Sequence, residues 1–235
     1  MMKKKILALG PVMPQESEIQ AIASTLSFLQ EDYQIDFIDP LSIQEDIANE
    51  AYYRLWEIEI EKNLESYDIF FGFSFGGVIL QQCFNLFAGH NKSIILFSTP
   101  TFADKDLGEK LGRVVYFCKG NQVIKALNFL YKDVFYPNKA PQQFTEVANE
   151  TLVASRLIFG LERVLTSNST IILSKSTVDH LHLIGECSNL VNRANAIVPT
   201  TGRLVIVPGA GMRVLQDNPV FCQKIILDQL GSSRP

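Results

Sequence analysis

Two stretches of this chain, Asp68–Phe73 and Ser93–Ser98, are apolar without alternation. A strand open to water on one face alternates apolar and polar residues, so an unbroken apolar run marks a strand covered on both faces. Further strand signals, Lys5–Leu9, Gln34–Asp39, Thr177–Ile184 and Arg203–Val207, are interleaved with helical periodicity. Glu16–Glu31 carries Ile19, Ile22, Leu26 and Leu29 on one face. Leu41–Glu65 is expected to turn Ile43, Ile47, Ala51, Leu55, Ile58 and Leu64 inward, and Gly76–Phe87 reads as another helix. Pro219–Leu230 closes the chain as a helix, with Asn218 as N-cap and Pro219 at the first position. The tail Gly231–Pro235 is expected to fray. This alternation predicts an α/β fold, a mainly parallel six-stranded sheet with helices on both faces.

One interval breaks the rhythm. Thr99–Ser176 carries helical patterns and no strand signal, clearest over Gln122–Lys132 and Thr145–Leu165. The second places Val147, Thr151, Ala154, Ile158, Leu161 and Leu165 on one stripe. So long a segment is not a bare loop in a compact domain. We expect a helical lid, residues 103–170, inserted into a core made of residues 1–102 and 171–235. A chain of 235 residues buries roughly 70–75 % of its unfolded surface, so its core needs no metal or disulfide.

Composition removes several function classes. A net charge of −4 leaves no basic footprint for nucleic acid. No apolar run approaches the length of a membrane span. Lys3, Lys4 and Lys5 followed by Ile6–Leu9 resemble a signal peptide only until Gly10-Pro11 cuts the apolar stretch, so a cytoplasmic protein is expected. Cys83, Cys118, Cys187 and Cys222 lack metal-type spacing and fit structural thiols in a reducing compartment.

The most informative motif is Gly72-Phe73-Ser74-Phe75-Gly76, set between a buried strand and a helix. That context is what a nucleophile elbow requires. The turn presents the Ser74 hydroxyl at the C-terminal edge of the sheet, and the next N–H, that of Phe75, points where an oxyanion would form. The plain alternative is a Gly-rich strand-to-helix turn in which Ser74 caps the helix. On these residues the chain resembles the α/β-hydrolase family in its small, lidded bacterial form. Val207-Pro208-Gly209-Ala210-Gly211 with Asp217-Asn218-Pro219 is similar to the family's last strand, loop and final helix, and Ile184-Gly185-Glu186-Cys187-Ser188 to the end of its penultimate strand. The strand pair that usually precedes the segment matching Lys5–Gly10 is missing.

The resemblance implies a serine nucleophile, an acid and a histidine in that chain order. Ser74 holds the nucleophile position. The histidine position is Met212, a thioether with no useful basicity. The acid position is Ser188. The first loop reads Leu9-Gly10-Pro11, and Pro11 has no N–H to give to an oxyanion; Val12 donates instead if the register shifts. His90 belongs to the opposite sheet edge. His180 and His182 share one face of a strand, and His182 sits well below the strand end at ~3.3 Å per residue. Both read as core histidines, with a displaced base or a His-x-His metal pair as the alternative. No third ligand accompanies them, so no metal is expected. Asp104 and Asp106 offer an alternative acid but read as solvated lid residues. Gly209-Ala210-Gly211 is not a dinucleotide fingerprint, and no cofactor is expected. The charge run Glu57, Glu59, Glu61, Lys62 and Glu65 reads as a solvated helix face.

The expected lid is rich in large apolar residues: Val114, Val115, Tyr116, Phe117, Leu127, Phe129, Leu130, Tyr131, Phe135 and Tyr136. Most read as packing. With Gly10, Phe73 and Phe75 they would border an apolar cleft over Ser74 that suits a small acyl or apolar molecule. The residues favour a protein of this fold that has lost hydrolytic competence and binds such a ligand or a partner. An active serine esterase or thioesterase with a non-standard base stays open, as does lyase or isomerase chemistry in the same cleft.

Overall fold

The computed structural model describes residues 3–140 and 143–231. From Ser232 on, the expected frayed tail lies outside them. Six strands form one parallel sheet among the described residues: β1 (Lys4–Leu9), β2 (Tyr33–Ile38), β3 (Ile69–Phe73), β4 (Ser93–Phe97), β5 (His180–Gly185) and β6 (Arg203–Val207). The order is β2-β1-β3-β4-β5-β6. The helices are α1 (Ile19–Thr25), α2 (Asn49–Leu64), α3 (Phe75–Gln82), α4 (Lys105–Lys119), α5 (Val123–Phe135), α6 (Glu150–Thr166), α7 (Thr170–Lys175), α8 (Val214–Asp217) and α9 (Pro219–Gln229).

Successive side chains of a strand point to opposite faces, and here both faces are dry. Leu7, Leu9, Phe70, Ile94 and Leu96 join α2 and α3 in one core. Ile6, Ala8, Phe71, Phe73, Ile95 and Phe97 join Leu26, Leu29, Cys222 and Ile226 in the other. This explains the unbroken apolar runs of β3 and β4. The chain leaves β1 for β2 on one side and returns to β3 on the other, so the direction of travel reverses between β1 and β3. At such a switch point the loops beyond the strand ends diverge and leave a crevice.

Some helices differ from the sequence expectation. The segment expected as helix from Leu41 becomes helical only at Asn49. Pro40 precedes it, and the Asp39 side chain takes the Leu41 N–H at 3.0 Å to form a turn. The buried face of α2 is Tyr52, Tyr53, Trp56, Ile60 and Leu64, while Ala51 and Ile58 are exposed. Aromatic rings bury more surface than Ala or Ile, and they set the helix rotation. The same happens in α6, which starts at Glu150 rather than Thr145. It buries Val153, Arg156, Leu157, Gly160, Leu161 and Val164, and leaves Thr151 exposed. The third expected helix ends at Gln82, followed by a 3-10 turn over Phe84–Phe87.

Between β4 and β5 the described residues hold α4 to α7 and one isolated bridge, Phe102 to Asn168. Asp104 caps α4 by accepting the Leu107 N–H at 2.9 Å, and Asn149 caps α6 by accepting that of Leu152 at 2.9 Å. Asp106 is exposed and pairs with Lys110 at 2.7 Å. Tyr116 is 71 % exposed, unlike the other large residues of α4. No helix among the described residues is long and apolar enough to cross a membrane.

Candidate active site

Ser74 joins the end of β3 to the start of α3 with φ 49° and ψ −108°, a conformation that L-residues rarely adopt. Packing dictates it. A Cβ on Gly72 would lie 2.5 Å from the Gly77 Cα, and one on Gly76 would lie 2.3 Å from the Leu9 carbonyl oxygen. The glycines therefore let α3 press against β3 and β1. Two hydrogen bonds clamp the turn: Ser74 N–H to the Phe97 carbonyl at 2.9 Å, and Gly76 N–H to the Gly10 carbonyl at 3.0 Å. Ser98, at the end of β4, also has positive φ, 45°. Its hydroxyl is buried without a hydrogen-bond partner among the described residues.

Ser74 lines a cleft with a cavity volume of about 310 Å³ at the C-terminal edge of the sheet. The floor is Phe73, Ser74, Phe97 and Ser98. One wall is the loop after β1, Pro11 to Pro14. The helices between β4 and β5 supply Leu107 and Leu111 from α4, Leu130 and Val134 from α5, and Leu161 and Val164 from α6. Met212 and Arg213 close the side after β6. Of the expected cleft residues, Pro11, Val12 and Phe73 border this space together with Ser74 and Met212. Gly10 and Phe75 do not: the Phe75 ring is fully buried and stacks on Tyr52 at 6.4 Å.

Ser188 is buried beside the cleft rather than in it. Its hydroxyl accepts the N–H groups of Val191 at 3.1 Å and Leu190 at 3.4 Å, which fixes the loop after β5. No histidine is among the described lining residues. His182 is buried on β5, and its Nε2 accepts the Thr99 N–H at 3.2 Å. Burial pushes its imidazole down to about 3, with His180 adding to the effect. His180 meets the Phe84 ring edge-on at 4.9 Å, and burial lowers it as well. His90 is exposed near Glu65, just before β4. No group of three or more His, Cys, Asp or Glu able to hold a metal occurs among the described residues.

Sequence reading missed the charged groups of the cleft, Glu18 and Arg213. Tyr131 donates to the Glu18 carboxylate at 2.7 Å. Its phenol is pushed up, first by burial and then by that carboxylate. The Arg213 guanidinium lies 3.7 Å from the Phe135 ring centroid. Burial lowers its pKa, and Asp217 opposes the shift. Neither residue belongs to a motif. Only the folding of α5 over the loops brings them to the cleft.

No protein-family model matches the sequence, and no curated protein matches it. Solved structures do match in shape. MGS-M2, an α/β-hydrolase enzyme from a Medee basin deep-sea metagenome library, superposes with a TM-score of 0.76 at 13 % identity, over 100 % of this chain and 92 % of that one. An esterase from Exiguobacterium antarcticum matches with a TM-score of 0.69 at 17 % identity, over 97 % and 92 %. The 2-hydroxy-6-oxo-6-phenylhexa-2,4-dienoate hydrolase of Rhodococcus sp. strain RHA1 matches with a TM-score of 0.71 at 14 % identity, over 97 % and 91 %. At such identities the likeness is one of architecture, and the sheet order, the turn at Ser74 and these superpositions agree that the chain has the α/β-hydrolase fold.

Proposed function

We propose that this protein binds a small apolar or acyl molecule in the cleft over Ser74 and does not hydrolyse it by triad chemistry. The observation that carries the reading is that Ser74 and Met212 line one cleft without a histidine among its described lining residues. A thioether cannot take the proton of an attacking hydroxyl. Ser188, at the acid position, uses its hydroxyl to hold its own loop. Pro11 has no N–H, so the oxyanion would depend on Phe75 and a displaced Val12. Loss of a triad member leaves at most ~10³–10⁴-fold rate over water. Residues 103–170 act as a lid over the core formed by residues 1–102 and 171–235. We place the protein in the cytoplasm, where its free cysteines stay reduced.

The second reading is an active serine esterase or thioesterase with a non-standard base. The strained backbone of Ser74 and the esterase among the structural neighbours favour it, and Glu18 is the lining carboxylate that would have to serve. The test is intact-mass spectrometry after incubation with a fluorophosphonate, on the native protein and on Ser74→Ala. No adduct on the folded native protein is expected. A stoichiometric adduct that vanishes in the variant would establish an activated serine and overturn the first reading.

A further inference from the structure

Arg213 is the cationic group among the described lining residues of a largely apolar cleft, and its guanidinium gives one side-chain hydrogen bond among the described residues. A guanidinium carries five N–H donors and no acceptor. Arg213 gives one of them, from Nη2, to Asp217 Oδ1 at 3.3 Å, long for a charge-assisted bond. Its Nε is buried and has no hydrogen-bond partner among the described residues. Asp217 cannot offer more. Its side chain is 1 % exposed, its Oδ2 accepts the Gly211 N–H at 2.9 Å, and its Oδ1 also accepts from Asn138 at 2.9 Å. The Phe135 ring under the guanidinium, 3.7 Å away, fixes its plane. Asp217 and Phe135 thus orient Arg213 without saturating it.

A cation that lines a cavity and gives one long hydrogen bond to its neighbours has donors left for an acceptor from outside the protein. The fork of a guanidinium matches a carboxylate in two-point contact. Most of the remaining wall, Leu107, Leu111, Leu130, Val134 and Leu161 among it, is apolar, with Ser74, Ser98, Tyr131, Gln216 and Glu18 as polar exceptions. Glu18 also lines the cleft, and it already receives the Tyr131 hydroxyl; its negative charge disfavours a carboxylate at its own side and leaves Arg213 as the anchor. The cavity of about 310 Å³ is at the lower end for small-molecule sites, which suits a medium-length tail. We propose that the cleft takes an apolar monocarboxylate of medium length, the carboxylate against the Arg213 guanidinium and the tail among the helices between β4 and β5. This rests on the cleft-binding reading above and names its ligand class: the free acid rather than an ester.

The experiment is titration calorimetry of the full chain with octanoate, methyl octanoate and octanol. Octanoate is expected to bind at least tenfold more tightly than the ester or the alcohol. Arg213→Gln should remove that preference, and Arg213→Lys should recover part of it, since charge remains while the fork is lost. The acid-to-ester comparison in the native protein needs no variant, so it stands even if Arg213→Gln, which loses the Phe135 contact, folds poorly. Equal affinity for acid and ester, or a variant that folds and keeps the preference, overturns the carboxylate assignment alone. Binding of none of the probes overturns the cleft-binding reading as well. A Ser74 adduct with fluorophosphonate overturns the non-hydrolytic reading above, while the acid-to-ester preference still decides the carboxylate assignment.

Discussion

Replacing Arg156 tests what holds the insertion to the sheet edge. Arg156 projects from α6 and makes two hydrogen bonds to the Asp39 carboxylate, at 2.9 and 3.1 Å, at the end of β2. Its Nε donates to the Met13 carbonyl at 2.9 Å, in the loop that walls the cleft. Both side chains of the pair are 9 % exposed, so water screens the pair little. One helical turn later, a Cβ on Gly160 would lie 2.5 Å from Val12, so the same face of α6 packs onto the same loop. Arg156→Met keeps the bulk and removes the charge. It strands the Asp39 carboxylate and one carbonyl, for which about 3–5 kcal/mol is expected. At about 2–4 °C per kcal/mol for a chain of this size, Tm should fall by roughly 6–20 °C. Urea unfolding followed by circular dichroism, with linear extrapolation, measures it. Asp39→Asn combined with Arg156→Met should recover part of the loss, because no buried charge is then left unpaired. A loss below about 1 kcal/mol, the range of an exposed pair, would refute the claim that this contact moors α6 to the cleft loop.

Restoring a base and an acid is a test in the other direction. Met212→His with Ser188→Asp should raise fluorophosphonate labelling of Ser74 by about 10²–10⁴-fold, the usual contribution of a positioned general base. A carboxylate at 188 can accept the same Leu190 and Val191 N–H groups as the present hydroxyl, and an unchanged labelling rate would mean that Met212 does not hold the histidine position. Gly76→Ala sets a Cβ 2.3 Å from the Leu9 carbonyl oxygen and should cost about 2–4 kcal/mol in denaturant unfolding, through overpacking and loss of the bond to Gly10; a cost near zero would show that α3 and β1 can separate freely. His182 contributes a pH dependence. Its imidazole is held down at about 3 in the fold by burial, against about 6.5 in the unfolded chain, so between those values the unfolded state binds the extra proton. Stability from this group is complete above about 6.5 and falls by up to about 1.4 kcal/mol per pH unit below it. His182→Gln should flatten stability against pH between about 6.5 and 4.5, and an identical slope in variant and native protein would disprove the buried neutral imidazole.

The sheet was legible because its signal is local and redundant. Continuous apolar runs in β3 and β4 report two covered faces, and each strand ends within a few residues of where its composition changes. Helix rotation was less legible. In α2 the aliphatic stripe through Ala51, Leu55 and Ile58 competes with an aromatic one through Tyr52 and Trp56, and only the neighbouring layer decides; Phe75 and Phe159 pack on Tyr52 and settle it. The strained turn at Ser74 was legible from its motif, while the reading of Met212 as the histidine position rests on the flanking glycines and Asn218-Pro219. Arg213 and Glu18 were not found at all. An arginine in a loop carries no periodic signal, and its role here depends on Phe135, 78 positions away, lying under it. The mooring by Arg156 was hidden for the same reason, since its partners Asp39 and Met13 are more than a hundred residues distant.

The persistence of a strained serine does not by itself point to catalysis. The backbone of Ser74 is set by the glycines at 72, 76 and 77 and by the hydrogen bonds to Phe97 and Gly10, all of which act on the main chain and would hold any side chain at 74 in the same place. Ser98 makes the comparison within one molecule. It stands at the same sheet edge with nearly the same positive φ, 45° against 49°, lines the same cleft, and has no triad role implied by the fold. Strain at this edge is therefore a product of how β3 and β4 hand the chain to α3 and to the insertion, each within a few ångströms of a neighbouring backbone. Chemistry needs more than the turn: a base within reach of the hydroxyl and an acid behind the base. At the positions we propose for them stand the Met212 thioether and the Ser188 hydroxyl, which already holds its own loop, and immediately beyond Met212 comes the Arg213 cation; on that proposal the cleft holds an acid rather than making one from an ester.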